Sequence, residues 1–148
     1  MLATSHALVA GMLAVKITNP VIGLPLAFLT HPIMDAIPHW DTGTGWRTRP
    51  RLLTFTNSLI DVVISIALTV WLFSGQVGLP YLFAMIFTAQ FGDWLEAPFL
   101  FFNWNFPPFS WAYQIQHRIH HRLLFAMGFF TQVATLSLFF LFLQLLPN

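Results

Sequence analysis

Long apolar stretches alternate with short polar ones along this chain. Three of them, Leu52 to Phe73, Leu79 to Phe102 and Leu123 to Leu146, are long enough to cross a bilayer, because roughly 20 apolar residues span its hydrocarbon. We therefore predict three membrane-spanning helices between Leu52 and Leu146.

Two shorter apolar runs, Ala7 to Val15 and Val21 to Leu29, precede these stretches and are separated by Lys16, Asn19 and Pro20. They predict a helical hairpin that either spans the membrane or re-enters it. The start of the chain lacks the basic region and cleavage site of a signal peptide, so we expect it to be retained. With no internal repeat or long linker, the chain is predicted to be a single all-α domain, 1–148. Its architecture is a polytopic membrane helical bundle of four to five transmembrane or re-entrant segments.

Composition supports a lipid environment and limits the possible chemistry. The chain is 57% hydrophobic and 7% charged, whereas a soluble domain has about a quarter of its residues charged. A net charge of +1 without a basic face gives no reason to expect nucleic acid as a partner. The absence of cysteine excludes disulfides, iron–sulfur clusters and thiolate sites. Any bound metal must be held by nitrogen and oxygen.

Arginines mark one end of the predicted bundle. Arg47, Arg49 and Arg51 lie between the second and third segments, and Arg118 and Arg122 flank the start of the last one. The positive-inside rule places this end in the cytoplasm, and we expect a multi-pass protein of a bacterial inner membrane. All six histidines and all five acidic residues fall in the same half. The predicted site therefore faces the cytoplasm.

Histidines and acids recur at helical spacing in this half. His31, Asp35 and His39 are four residues apart, and a second histidine group, at 117, 120 and 121, would share one helix face if its helix continues. Pro32 is predicted to start a new helical stretch, and Pro38 to end it. His39, Trp40 and Asp41 would then lie in the exit loop.

Two further segments carry intramembrane acids. The third has a polar stripe, Thr54, Ser58, Asp61, Ser65 and Thr69, which should face the bundle. An ionised Asp61 there costs about 3 kcal/mol unless it has a partner, either a metal or histidine or, alternatively, a serine or threonine. In the fourth segment Gln90, Asp93 and Glu96 are three residues apart, and Asp93 is the better ligand candidate.

Imidazole and carboxylate ligands suit a divalent metal, with zinc favoured over manganese or iron, and so many of them can hold two ions. Asp35 and Asp61 are the predicted catalytic carboxylates, which would orient a metal-bound water. Arg47, Arg49, Arg118 and Arg122 are predicted to bind substrate phosphate. The predicted metal ligands are His6, His31, Asp35, His39, Asp61, Asp93, His117, His120 and His121.

Two strings near the start of the chain, Ser5-His6 and Thr30-His31-Pro-Ile-Met-Asp35-Ala-Ile-Pro-His39-Trp-Asp41, resemble the membrane-bound metal-dependent hydrolase family. That family is in turn similar to zinc-dependent phospholipase C, in which a His-x-x-x-Asp pair helps to hold metals. The resemblance covers roughly residues 1–41. It implies that His6, His31 and Asp35 are metal ligands and that His39 or Asp41 lies nearby.

We therefore predict a metal-dependent hydrolase acting on a phosphoester of a lipid or lipid-linked substrate at the cytoplasmic membrane interface. His117-Arg-Ile-His120-His121 separately resembles a histidine box of membrane fatty-acid desaturases and hydroxylases, which implies a diiron oxidoreductase as the alternative. A second alternative is a non-enzymatic accessory subunit whose histidines ligate haem or a pigment. A homo-oligomer or a larger membrane complex is compatible with each of these predictions.

Overall fold

The computed structural model describes residues 1–145, which form seven helices and no sheet. The all-α prediction is confirmed. Leu146, at the end of the last predicted segment, and the last two residues of the predicted domain 1–148 lie outside the described part. The helices are α1 (Ala3–Lys16), α2 (Pro20–Ala36), α3 (Arg51–Phe73), α4 (Leu79–Ala89), α5 (Phe91–Phe102), α6 (Phe109–Ile119) and α7 (Phe125–Leu145).

Helix α1 is the centre of the bundle. It packs against α2, α3, α4 and α7, and most of its residues are buried. Small side chains such as Ala7 and Ala10 let its neighbours approach closely. A Cβ atom on Gly11 would lie 2.3 Å from the ring of Phe73, so only glycine fits this contact. Leu82 and Met85 of α4 complete the apolar core around α1.

The polar stripe of α3 faces the bundle, as predicted. Its buried residues are Thr54, Asp61, Ser65 and Thr69, whereas Leu52, Leu59 and other large apolar side chains of the same helix are exposed. This distribution is the reverse of that found on a helix of a water-soluble protein, which buries its apolar face. Helix α3 thus presents an almost wholly apolar surface outward.

Helices α3 and α7 are both long and apolar enough to cross a membrane, judged by length and composition. They correspond to the first and last of the three predicted spanning stretches. The middle stretch, Leu79 to Phe102, is not one helix, because it is divided at Gln90 into α4 and α5. Gln90 leaves helical geometry, and its side-chain amide donates to Ser65 Oγ (3.0 Å) inside the bundle.

The predicted hairpin is formed by α1 and α2. Asn19 caps α2 by accepting a hydrogen bond from Val21 N, with Pro20 in the first turn. The prediction that a new helical stretch starts at Pro32 is wrong, since α2 runs unbroken through this residue to Ala36. Packing of α2 against α4 and α6 stabilises it despite the missing N–H. The predicted exit loop at His39 to Asp41 is confirmed.

The second histidine group lies at a break between two helices. His117 belongs to α6, which ends at Ile119, and His120 and His121 follow in an extended segment before α7. The expectation that these three histidines share one helix face is therefore wrong. The backbone there pairs with the exit loop of α2 instead: His39 N donates to His121 O (3.0 Å), and Leu123 N donates to His39 O (2.8 Å).

Candidate metal centre

Asp35, on the last turn of α2, is the centre of a buried polar cluster. Its side chain is 1% exposed. One carboxylate oxygen, Oδ2, lies 3.2 Å from Nε2 of His31, one helical turn earlier. The other, Oδ1, lies 3.2 Å from Nε2 of His6 on α1 and 3.9 Å from Nε2 of His39 in the exit loop. The α-amino group of Met1 also contacts Oδ1.

The orientation of His31 is fixed by a backbone carbonyl. Its Nδ1 lies 2.8 Å from Ala89 O at the end of α4, a geometry in which Nδ1–H donates and Nε2 carries the free lone pair. Nε2 then points toward Asp35. Gly92 in α5 lies directly against the ring: a Cβ atom there would be 2.4 Å from His31 Nε2. A carbonyl and a glycine together determine where this nitrogen lies.

His6 is held next to His31 by α1. The two imidazole rings stack with their centroids 4.3 Å apart. The start of α1 is anchored by Asp61, whose Oδ2 accepts from Ala3 N (2.7 Å) and whose Oδ1 accepts from Thr4 Oγ1 (2.6 Å) and Thr4 N (3.2 Å). A carboxylate is well suited to the unpaired N–H groups of a helix N-terminus. Asp61 therefore positions the helix that carries His6.

Gln116 of α6 joins α2 to α5 within the cluster. Its side-chain nitrogen lies 3.0 Å from Asp93 Oδ1, 3.2 Å from Asp35 Oδ2 and 3.0 Å from His31 Nε2. One amide thus lies among three atoms that are all potential metal ligands. Asp93 Oδ1 is 3.7 Å from His31 Nε2. His6, His31 and Asp93 form one group whose ligand atoms all lie within 4.8 Å of one another.

A second group of the same kind consists of His39, Asp41 and His120. Nε2 of His120 is 2.9 Å from Asp41 Oδ2, and Nε2 of His39 is 3.8 Å from the same oxygen. His39 Nδ1 lies 2.6 Å from Ile37 O, and its buried Nε2 has no hydrogen-bond partner. The paired extended segments place these residues side by side, and the rings of His39 and His120 are tilted toward each other with centroids 4.2 Å apart.

The electrostatics of Asp41 favour the ionised carboxylate. Burial would raise its pKa, but the neighbouring His120 and His39 side chains outweigh that effect and hold the pKa well below its usual range. Asp41 therefore remains charged when it is not bound to a metal. A permanently ionised carboxylate beside two imidazoles has the protonation state that metal binding needs.

Helix α7 fixes the exit loop from the other side. Gln132 Nε2 donates to Trp40 O (2.8 Å), and Thr131 Oγ1 donates to Pro38 O (2.7 Å). A Cβ atom on Gly128 would lie 2.3 Å from Trp40 N, so the helix and the loop are in backbone contact. Oε1 of Gln132 also accepts from Ser5 Oγ (2.9 Å) on α1. One glutamine thus links the helix of His6 to the loop of His39.

The residues present fit a divalent metal. Both groups offer only imidazole nitrogen and carboxylate oxygen, the donors that suit zinc, manganese or iron. Tetrahedral zinc holds its ligand atoms about 3.4 Å apart, so the side chains of each group, whose ligand atoms lie within 4.8 Å of one another, would draw together when they bind an ion. Backbone carbonyls hold Nδ1 of His31 and His39, as is usual for metal-ligating histidines. Asp35 lies between the groups, with oxygens facing both.

Seven of the acids and histidines singled out in the sequence meet here, but others do not. Asp61 lines the cavity beside the centre, but its carboxylate binds the start of α1 and belongs to neither group. His117 is exposed and stacks on Tyr113, 5.5 Å away, and His121 is exposed. A ligand role for these three residues stays a prediction without support from the geometry. Glu96, the weaker candidate, lines the cavity beside the centre.

Of the four arginines predicted to bind phosphate, Arg122 alone lines that cavity. Arg47 donates instead to the hydroxyl of Tyr113 (2.6 Å), and Arg49 and Arg118 are exposed. Arg122 is placed there by the pairing of its segment with the exit loop of α2. It is therefore the arginine best placed to meet an anion at the centre.

Gln116, Gln132 and Gly92 contribute to the site but were not predicted from the sequence. Gln116 lies one residue before the histidine group, and a polar side chain at a helix end is unremarkable in sequence. Gln132 and Gln144 are the two glutamines within the last apolar stretch, and a strongly polar side chain there is a signal that could have identified Gln132. Gly92 gave no signal, because its role depends on a ring from another helix.

Comparisons of this chain with protein-family models, with curated proteins and with solved structures give no match. The resemblance of residues 1–41 to metal-dependent hydrolases stays a prediction. Functional assignment therefore rests on the geometry of the centre.

Proposed function

We propose that this chain is a membrane-embedded, metal-dependent hydrolase that acts on a phosphoester of a lipid or lipid-linked substrate. One ion would be held by His6, His31 and Asp93. The other would be held by His39, Asp41 and His120. Asp35 lies between the two groups and would bridge them.

The observation that carries this proposal is the matched geometry of His31 and His39. Each places Nδ1 on a backbone carbonyl and directs Nε2 toward the same carboxylate, Asp35, from opposite oxygens. With Nδ1–H on a carbonyl, Nε2 of each ring is left as an acceptor that faces a carboxylate, which has no proton to donate to it. A bound cation would satisfy both the nitrogen and the carboxylate. Two histidines oriented in this way around one buried carboxylate are what a dinuclear site requires.

A pair of divalent ions would supply a water of lowered pKa and charge stabilisation for a phosphoryl transition state. The chain's own residues would do the rest. Asp35 orients the ligands and accepts hydrogen bonds at the centre. Arg122, at the cavity wall, pairs with substrate phosphate because guanidinium matches its oxygens. Glu96 provides a further carboxyl in the same cavity. Asp61 acts by positioning α1.

The membrane setting is part of the proposal. Its support is the outward apolar surface of α3 and α7 together with the buried polar stripe of α3. The shorter helices α1, α2, α4 and α5 would complete a bundle of four to five spanning or re-entrant segments. The arginines near the centre would place it at the cytoplasmic interface of a bacterial inner membrane. Resistance of the protein to extraction by alkaline carbonate tests the membrane setting.

A pair of matched variants tests the metal centre against the histidine-box alternative. We expect His120→Ala to lose metal, because His120 belongs to the second group, and His117→Ala to keep it. In a diiron histidine box both residues would be ligands, and both variants would lose metal. Elemental analysis of the purified variants gives the answer, and hydrolysis of phospholipids and alkyl phosphoesters is measured on the same samples.

The other two predicted functions have less support. The geometry separates His117 and His121 from His120, which weakens the resemblance to a desaturase histidine box. Haem or pigment ligation usually uses a histidine on an apolar face, whereas His6, His31 and His39 surround a carboxylate. An absorption spectrum separates the hydrolase, which is colourless with zinc or manganese, from a haem or pigment subunit, which has a strong visible band. Iron in the elemental analysis would indicate the diiron enzyme.

A further inference from the structure

A cavity of about 250 Å³ opens directly from the metal centre. Its inner end is polar, with Asp35, Asp93 and His120 on its wall. Away from the centre the wall becomes apolar and is supplied by two helices. Helix α3 contributes Phe55, Leu59 and Val62 beside the polar Ser58 and Asp61, and α5 contributes Ala97, Leu100 and Phe101 beside Glu96. The cavity is therefore amphipathic along its length.

The apolar end lies between α3 and α5 and is closed by an aromatic pair. The rings of Phe55 and Phe101 meet edge to face with centroids 5.2 Å apart. Leu59, behind them, is half-exposed on the outer surface of α3. That surface belongs to one of the two helices able to cross a membrane. The cavity wall thus continues into the surface that hydrocarbon would cover.

The size of the cavity limits its occupant. An apolar cavity of about 150 Å³ accepts a molecule as large as benzene, and drug-sized ligands use about 300 to 1,000 Å³. At about 250 Å³, the space has room for a phosphoester and the first part of one hydrocarbon chain. Two chains side by side would need more. A fully polar substrate would leave the aromatic and aliphatic walls in contact with water.

We propose that this cavity binds one hydrocarbon chain of a lipid phosphoester, which enters sideways from the membrane between α3 and α5 by displacing the Phe55–Phe101 pair. The proposal rests on the function proposed above and specifies its substrate class. The phosphoester would lie at the polar end beside Arg122, and the chain would extend toward Leu59 and Leu100. Each methylene removed from water there should improve affinity about fourfold.

The test measures binding of a series of alkylphosphonates from two to ten carbons, which are phosphoester analogues that cannot be hydrolysed. Ala97→Trp fills the apolar end of the cavity. Ala67→Trp makes the same change at an exposed position of α3 and is the matched control. In wild type and in the control we expect affinity to rise about fourfold for each added carbon until the cavity is filled, and then to level off. In Ala97→Trp we expect it to stay flat beyond the two-carbon ligand. Partition into detergent or bilayer affects all three proteins equally.

If the affinity of Ala97→Trp rises with ligand chain length as steeply as that of the control, the proposed hydrocarbon-chain site is refuted. Should Ala97→Trp fail to fold, Phe55→Ala provides an independent test. Removal of its ring from the aromatic pair should extend the affinity gain to longer ligands, and an unchanged profile would also refute the proposal. Chain-length-dependent binding without hydrolysis of any alkyl phosphoester would support the chain site while overturning the proposed hydrolase.

Discussion

Gly92→Ala provides a sharp test of how His31 is placed. Gly92 opens the first turn of α5, and its hydrogen points at the imidazole of His31 on α2. An added Cβ atom would lie 2.4 Å from His31 Nε2 and 2.6 Å from Cδ2. Ordinary contacts of a Cβ atom begin at 3.4 Å. The ring must therefore move by 3.4 − 2.4 = 1.0 Å, or α5 must move away by the same distance.

A displacement of this size is large for a metal ligand. Metal–ligand distances are held to about 0.2 Å, and His31 has little room to move because its Nδ1 lies 2.8 Å from Ala89 O. Loss of correct orientation at one ligand typically lowers metal affinity by about 10- to 100-fold. We expect Gly92→Ala to weaken metal binding by this amount while the bundle stays folded.

The assay is competition of the purified variant with a chromophoric zinc chelator in detergent, together with a thermal unfolding curve. Gly75→Ala is the control, because an added Cβ there meets nothing within 4 Å. We expect the control to bind zinc as wild type does. Wild-type zinc affinity in a folded Gly92→Ala variant would refute the reasoning, since His31 could then not be a ligand in its observed position.

Two further variants test how the centre is supported. Gln116→Glu adds a carboxylate beside Asp35 and Asp93. Without metal the added negative charge should lower the melting temperature, and zinc should then raise it by more than it does in wild type. An equal rise in both proteins would contradict the placement of the amide among metal ligands. Asp61→Asn presents an amide N–H to the backbone donors at the start of α1 and should lower the free energy of unfolding by about 1–3 kcal/mol, measured by denaturant titration. Its metal content should not change, because Asp61 lies outside both groups, and a loss of metal would identify it as a ligand.

Much of the fold followed from the length of the apolar stretches, but the division of the middle stretch into α4 and α5 did not. The spans of α3 and α7 agree with the predicted stretches to within a few residues, because nothing but apolar length decides them. The break at Gln90 was missed because the run from Leu79 to Phe102 is apolar on both sides of it. At this break the side chain of Gln90 makes a tertiary contact, its hydrogen bond to Ser65 on α3, which no local pattern reveals.

The residues of the candidate centre were predicted better than their arrangement. The four-residue spacing of His31 and Asp35 predicted that they share a helix face, and they are in contact. Pro38 predicted the exit loop that carries His39. The division of the second histidine group could not be foreseen. Pairing of the segment around His121 with the exit loop keeps it extended, and that pairing joins parts of the chain about 80 residues apart.

Asp61 shows that an intramembrane acid can have its partners in a distant part of the chain. Its burial was expected, and so was the need for a partner. The partners are the first N–H groups of α1, which no local pattern around Asp61 reveals. The alternative kept open in the sequence, a hydrogen bond to serine or threonine, is met in part by Thr4.

The central claim is a dinuclear centre with Asp35 between its two groups. Its most direct test is inductively coupled plasma mass spectrometry of the detergent-purified protein, loaded with zinc and desalted, beside Asp35→Ala prepared in the same way. We predict about two equivalents of metal per wild-type chain, one for each ligand group, and fewer than one in the folded variant, because Asp35 faces both groups. A metal-free wild-type protein, or an unchanged metal content in Asp35→Ala, would contradict the account.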